Sequence, residues 1–206
     1  MTATIVIWQY LQYLNNYYGM RGTHNSLTFG RAVKWWARIG AYFWRCQRKT
    51  VTEQIVAGCK TFDIRFARSR KGGWVGAHGV VDLDVDPILA IQEINRNCPG
   101  AYVRVILERA RDEEEHRKFR EVCRYLEVSY PELTFFGGRL KPGWEEVYRF
   151  ESPEGAEAER SLVQHVGSMQ SFYGKVFPGL WAWIHRGDVV AGEDADELPA
   201  VLRDMV

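Results

Sequence analysis

The chain has 206 residues, with 27 Lys and Arg against 26 Asp and Glu and a formal net charge of +1. Hydrophobic residues make up 46% and aromatic residues 14%, enough for a full core, which excludes disordered and low-complexity classes. The balanced charge excludes the basic footprint of an electrostatic nucleic-acid binder. The length predicts a single domain over residues 1–206. No run approaches the ~18 apolar residues of a transmembrane helix. The opening segment, Met1 to Trp8, lacks the basic region and cleavage site of a signal peptide, so the expected location is the cytoplasm or release without such a peptide. Cys46, Cys59, Cys98 and Cys123 form no CxxC pair and are expected to be reduced core residues.

In chain order, strands are predicted over Met20–Thr23, Cys59–Ala67, Trp74–Val80, Tyr102–Arg109, Leu133–Gly137, Ser161–Val166 and Ala200–Val206. Helices are predicted over Phe29–Arg45, Val51–Ala57, Pro87–Asn97, Asp112–Val128, Gly143–Tyr148 and Phe177–Val190. Alternating strands and helices predict an α/β fold with a parallel sheet, open or closed. The expected architecture is a TIM-barrel-like (β/α) barrel, small and irregular or incomplete, because ~250 residues is usual for eight units. The tryptophans, including Trp35, Trp36 and Trp44, are expected to pack helices on the sheet, with contact to a membrane surface as the lesser alternative.

Two strands carry charge in a telling pattern. Side chains alternate along a strand, so Phe62, Ile64 and Phe66 share one face and Asp63 and Arg65 the other. Val103, Val105 and Leu107 likewise oppose Glu108. Strands covered by helices usually read as continuously hydrophobic, so a charged face meets something polar, which in a barrel is the lumen and its mouth.

Six late-strand residues stand out: His24, Asp63 with Arg65, His78, Glu108 and Asp204. Each alone has a structural explanation: a turn histidine, a buried ion pair, a solvated terminus. As a set they are what phosphodiester cleavage needs. One imidazole accepts a proton from the attacking hydroxyl and another donates to the leaving oxygen. A guanidinium neutralises charge on the phosphoryl oxygens, and a carboxylate orients the base histidine. The same groups would serve other esters, so the residues define a class of reaction rather than a substrate.

Gly22-Thr23-His24-Asn25-Ser26 resembles the GTHDS segment of the phosphatidylinositol-specific phospholipase C catalytic (X) domain family. The similarity continues through Trp44-x-x-Gln47, Glu53-Gln54-Ile55-x-x-Gly58-Cys59, Phe62-Asp63-Ile64-Arg65 and His78-Gly79. Tyr130-Pro131-Glu132-Leu133 through Gly138-Arg139 and Trp144 resembles phage and other microbial members, and Leu202-Arg203-Asp204-Met205-Val206 resembles the terminal L-I-D-F-V strand. The resemblance implies a phosphoric diester hydrolase or lyase on a TIM barrel. His24 would be the general base toward an inositol hydroxyl, His78 the general acid toward the leaving glycerol oxygen, Arg65 the phosphate holder and Asp204 the partner of His24. Asp63 would stand beside them.

Arginine at position 65 resembles the metal-independent bacterial branch, so no cofactor is expected; in a calcium-dependent member Asn25, Asp63 and Glu108 would be the ligands. Substrate contacts are expected from Asn25, Glu108 and Arg139. The implied partner is a phosphodiester, an inositol phospholipid in the family's usual case, with transient contact to a membrane surface and no nucleic acid. Asn25 departs from the bacterial aspartate, and an amide supplies no charge, so the pKa of His78 should be lower than in those enzymes and the acid step less effective. That departure keeps two alternatives open: a phosphodiesterase on another substrate, such as a glycerophosphodiester or glycolipid, and a barrel retained as a binding or structural module.

Overall fold

The computed structural model describes residues 21–138, 148–161, 163–164 and 201–203. Strand β1 (Arg21–Thr23) is followed by helices α1 (Trp35–Ile39), α2 (Ala41–Trp44) and α3 (Val51–Val56). Next come β2 (Thr61–Arg68), β3 (Trp74–His78), β4 (Val81–Asp82), α4 (Pro87–Asn97), β5 (Tyr102–Arg109) and α5 (Glu113–Ser129). The later elements are β6 (Thr134–Gly137), α6 (Pro153–Ser161), β7 (Val163–Gln164) and β8 (Val201–Arg203). The architecture is mixed α/β.

Helix starts are written in the sequence. Thr50 and Glu53 form a reciprocal capping box on α3. The Asp86 carboxylate accepts from the N–H groups of Ile88 and Leu89, with Pro87 in the first turn of α4, and Asp112 caps α5 through the N–H of Glu115. Each such cap stabilises its helix by about 1 kcal/mol. The caps aim the apolar faces of α4 and α5 at the sheet. There Ile91, Ile94, Phe119, Cys123 and Leu126 join Phe62, Ile64, Phe66, Val103, Val105 and Leu107 in one buried cluster. Phe66, Trp74 and Phe119 meet edge to face, with centroids 5.7–6.1 Å apart.

Six strands run in the order β6-β5-β2-β1-β8-β7, and every pairing along that path is parallel. β5 covers one edge of β2 from Thr61↔Tyr102 to Phe66↔Leu107, then slips so that Ala67 faces Arg109. The other edge of β2 is shared: β1 pairs at its start (Gly22↔Thr61, Thr23↔Phe62), and β3 pairs antiparallel at its end (Phe66↔Gly76 to Arg68↔Trp74). β4 extends β3 as a second antiparallel partner. Among the described residues the sheet does not close on itself.

Several expectations are corrected. Trp74–Val80 is not one more parallel strand. Residues 69–73 form a tight turn, and a parallel return requires a crossover of about a dozen residues or more, so β3 folds back as a hairpin and ends at His78. Phe29–Arg45 is not one helix. Residues 29–34 are non-helical, with Ala32 bridged to Leu83, and Gly40 separates α1 from α2. Ser161 ends a helix instead of opening a strand, and β4 and α6 were not anticipated. Trp44 is buried, its indole N–H donating to the Ala37 carbonyl, but Trp35 is 70% and Trp36 45% exposed, so these two do not pack on the sheet. None of the four cysteines is in a disulfide, and all but Cys98 are fully buried. The helix predicted over Phe177–Val190 lies outside the described residues, as do most of Gly143–Tyr148 and part of Ala200–Val206; no helix covers Tyr148.

Candidate active site

The shared edge of β2 creates the site. β1 stops opposite Phe62 and β3 begins pairing only at Phe66, so the chain ends of two strands converge over the interval 63–65. His24 and Asn25 arrive from one side, and His78 arrives from the other.

Residues 23–28 are fastened to β2 and to the segment after α2. Ser26 N–H donates to the Asp63 carbonyl (2.9 Å), and the Asp63 N–H donates back to Ser26 Oγ (2.8 Å). The Ser26 hydroxyl in turn reaches the Thr23 carbonyl (3.0 Å). Gln47 Nε2 donates to the His24 carbonyl (3.1 Å), and Gln54 Nε2 to the Ser26 carbonyl (2.8 Å). Thr28 Oγ1 donates to the Asn25 carbonyl while accepting from the N–H groups of Cys46 and Gln47. Gln47 and Gln54, each fully buried, therefore act on the turn through backbone carbonyls. Asn25 itself sits at φ +49°, in the left-handed region that asparagine tolerates better than most residues.

Arg65 is the hub. Its Nε and Nη2 both donate to Asp63 Oδ2 (3.1 and 3.0 Å), Nη1 donates to Glu108 Oε2 (3.1 Å), and Nη2 also donates to His24 Nε2 (3.0 Å). Asp63 Oδ2 further accepts the Asn25 backbone N–H (3.1 Å). Burial by itself would raise the pKa of Asp63, but the charges of Arg65 and Arg104 hold its carboxyl well below the usual carboxylate range. Burial likewise works against the Arg65 cation, and the Asp63 and Glu108 carboxylates more than restore it. A fixed positive charge thus stands in a buried pocket of the sheet, held by two carboxylates.

The two imidazoles meet at one amide. Asn25 Nδ2 lies 3.1 Å from His24 Nε2 and 3.2 Å from His78 Nε2, and also contacts Cys46 Sγ at 3.6 Å. His78 Nδ1 donates to the Trp44 carbonyl at 2.6 Å, which fixes its tautomer, because a carbonyl can only accept. Burial, then the charge of Arg65, lowers the His78 pKa to about 4. Glu108 Oε1 accepts the Gly79 N–H (2.7 Å), so the same carboxylate that anchors Arg65 also anchors the turn that carries His78.

The donor set does not fit calcium. That ion takes about 6–8 oxygen ligands. Asp63 Oδ2 and Glu108 Oε2 are bound to the guanidinium and Glu108 Oε1 to a backbone N–H, so Asn25 Oδ1 and Asp63 Oδ1 alone in this set are uncommitted, too few for that ion. A dication at Asn25, Asp63 and Glu108 would face Arg65 directly.

His24, Asn25, Asp63, Arg65, His78 and Glu108 are therefore brought together, while Asp204 and Arg139 lie outside the described residues. The described part of β8 ends with Arg203 in register with Thr23. Sequence reading missed Cys46, taken for a plain core residue, and the Trp44 carbonyl and Gly79 N–H, which as backbone groups leave no signal in residue identity.

No protein-family model and no curated protein matches the sequence. Among solved structures, the chain is similar to a phosphatidylinositol-specific phospholipase C from Listeria monocytogenes, at 12% identity and TM-score 0.49, over 73% of this chain and 61% of that one. It is also similar to a phosphatidylinositol-specific phospholipase C from S. aureus, at 17% identity and TM-score 0.45, over 63% of this chain and 49% of that one. The chain thus spans about three fifths and one half of the lengths of these two proteins. Likeness at this level carries no functional argument.

Proposed function

We propose that the chain is a phosphoric diester hydrolase or lyase of the phosphatidylinositol-specific phospholipase C type, working by histidine acid–base chemistry without metal. The observation that supports it most is the meeting of two imidazole Nε2 atoms at Asn25 Nδ2, one of them 3.0 Å from a guanidinium held by two buried carboxylates. In this reading Arg65 holds the phosphoryl oxygens, and its preformed charge needs no rearrangement as negative charge develops. His24 Nε2 exchanges its two donors for the substrate hydroxyl and takes its proton. The freed oxygen attacks phosphorus, a cyclic phosphate forms and the glycerol oxygen leaves. His78 faces the leaving side. If water later opens the ring, the histidines exchange roles. Asp63 and Glu108 act by positioning Arg65, Asp204 would orient His24, and Arg139 would contact the substrate.

The finer architectural reading, a small (β/α) barrel, belongs to the same proposal. The strand order is a cyclic chain order broken between β6 and β7, and β1 pairs with both β2 and β8, as closure requires. Transient contact with a membrane surface is proposed through Trp35, Trp36 and Ile39 on the short α1, all exposed. Among the described residues no helix is long and apolar enough to cross a membrane.

The test is ³¹P NMR of phosphatidylinositol micelles with the protein, in EDTA and again in calcium. A cyclic inositol phosphate resonance in EDTA, lost in His24→Ala, is the expected result. Turnover only with calcium would overturn the role given to Arg65. Silence from folded protein under both conditions would favour the binding-module reading, which the uncharged Asn25 motivates.

A further inference from the structure

We propose that the site operates as a pair of bases, and that Asn25 thereby selects phosphodiesters whose leaving group departs without a proton, aryl esters above alkyl ones. This rests on the phosphodiesterase reading and narrows its substrate class.

The geometry fixes where the protons are. Arg65 Nη2 can only donate, so His24 Nε2 presents its lone pair, and the group of Asn25 that also faces this atom must be the amide N–H₂. That same nitrogen faces His78 Nε2 at 3.2 Å. His78 already carries a proton on Nδ1, given to the Trp44 carbonyl at 2.6 Å, so a neutral ring has its lone pair on Nε2, directed at the amide. Both imidazoles therefore meet the substrate side as acceptors. For His78 to act as an acid it must first become an imidazolium.

The groups around His78 divide over that step, and burial outweighs those that favour it. From β2 comes the Arg65 cation, and from the turn after β1 come His24 and the donor amide of Asn25. From the end of α2 comes the Trp44 carbonyl, which accepts from Nδ1 and favours the charged ring, and from the segment after it, beyond the amide, the thiol of Cys46. From β5 comes Glu108, the one carboxylate that favours the charged ring, and its two oxygens are bound to Arg65 Nη1 and Gly79 N–H. Burial pulls the same way as the Arg65 cation and is the largest contribution. An aspartate at position 25 would reverse the balance by accepting from Nε2–H.

The chemical step balances without an acid. The attacking hydroxyl gives its proton to His24 Nε2, a new P–O bond forms, and the bond to the leaving oxygen breaks with its electron pair. The leaving group departs as the anion and is protonated by water. Such a step is fast for an acidic phenol and slow for an alcohol.

The experiment measures kcat/KM for myo-inositol 1-phosphate esters of nitrophenol, chlorophenol, phenol and butanol, with wild-type protein and Asn25→Asp. General acid catalysis contributes about 10²–10⁴-fold, so the wild type should fall by about 100-fold or more along the series and the variant should recover about that factor on the butyl ester. Long-range ¹H–¹⁵N correlation should find His78 protonated at Nδ1 and bare at Nε2 at neutral pH. Brisk turnover with a flat profile in the wild type, or a proton on His78 Nε2, would overturn this inference and leave the phosphodiesterase reading standing. Failure to cleave even the nitrophenyl ester, by folded protein with the stated tautomer, would overturn both. The wild-type profile decides the matter even if Asn25→Asp does not fold.

Discussion

The two faces of β2 are equally hidden from water and are held by different physics. On one face Phe62, Ile64 and Phe66 are wholly buried against α4, α5 and their neighbours, and each contributes about 1.5–3 kcal/mol by leaving water. On the other, Asp63 is just as buried and Arg65 nearly so, yet neither would be tolerated alone. The apolar face is a sum of nearly independent terms, and losing one leaves the others in place. The polar face is conditional, because each charge is acceptable only while its partners stay.

The largest break in that comparison is Arg65→Ala. It strands Asp63 and Glu108, and breaking a buried pair from one side costs about 3–5 kcal/mol. In chemical denaturation the midpoint should collapse, and diesterase activity should fall by about 10²–10³-fold or more. Phe66→Ala should cost a similar 3–5 kcal/mol in the same melts. Its folded fraction should keep the full kcat, since the change lies across the strand from the site. Equal losses of kcat in the two variants would erase the distinction between the faces.

A pH series sharpens the comparison on the polar side. The folded state holds His78 at about 4 against an ordinary 6.5, so between these values the unfolded chain binds a proton that the folded chain refuses. Stability should be full above 6.5 and drop as the pH falls toward 4. Asp63, also lowered, adds its own loss only below about 4. Urea melts of wild type and His78→Gln should differ in slope across the upper window and converge in slope below it. A smaller effect is expected of Glu108→Gln, which keeps an oxygen for Gly79 and removes the charge facing Arg65; a loss of about 1–3 kcal/mol is expected. Smallest is Thr50→Ala, which opens the capping box at the exposed start of α3 and should cost about 1 kcal/mol in the same melts.

What the sequence disclosed follows from how local the signal is. The alternation in Phe62 to Phe66 and the caps Asp86 and Asp112 are readable because strand period and helix starts are set within a few residues. Ser152-Pro153-Glu154 carried a start signal for α6 of the same kind, since Pro153 opens the helix and Ser152 Oγ accepts the Gly155 N–H, but it was passed over. The hairpin of β3 was hidden because Trp74 to His78 reads equally well as a parallel strand, and only the shortness of the turn over residues 69–73 decides. The types of the site residues were visible, but their protonation was not. It depends on a backbone carbonyl at Trp44 and on a single amide touching two rings, relations that exist only after folding.

The left-handed backbone at Asn25 has an evolutionary consequence. At φ +49° few side chains are admitted, and asparagine, aspartate and glycine are the natural occupants. The codons of asparagine and aspartate differ by one base, so an amide-bearing and a carboxylate-bearing version of this turn are adjacent in genetic space, with no misfolded intermediate between them. Among occupants that carry a side chain, the loop's shape thus narrows the variation offered to selection at this position to a change of charge, one made without rebuilding the sheet beneath.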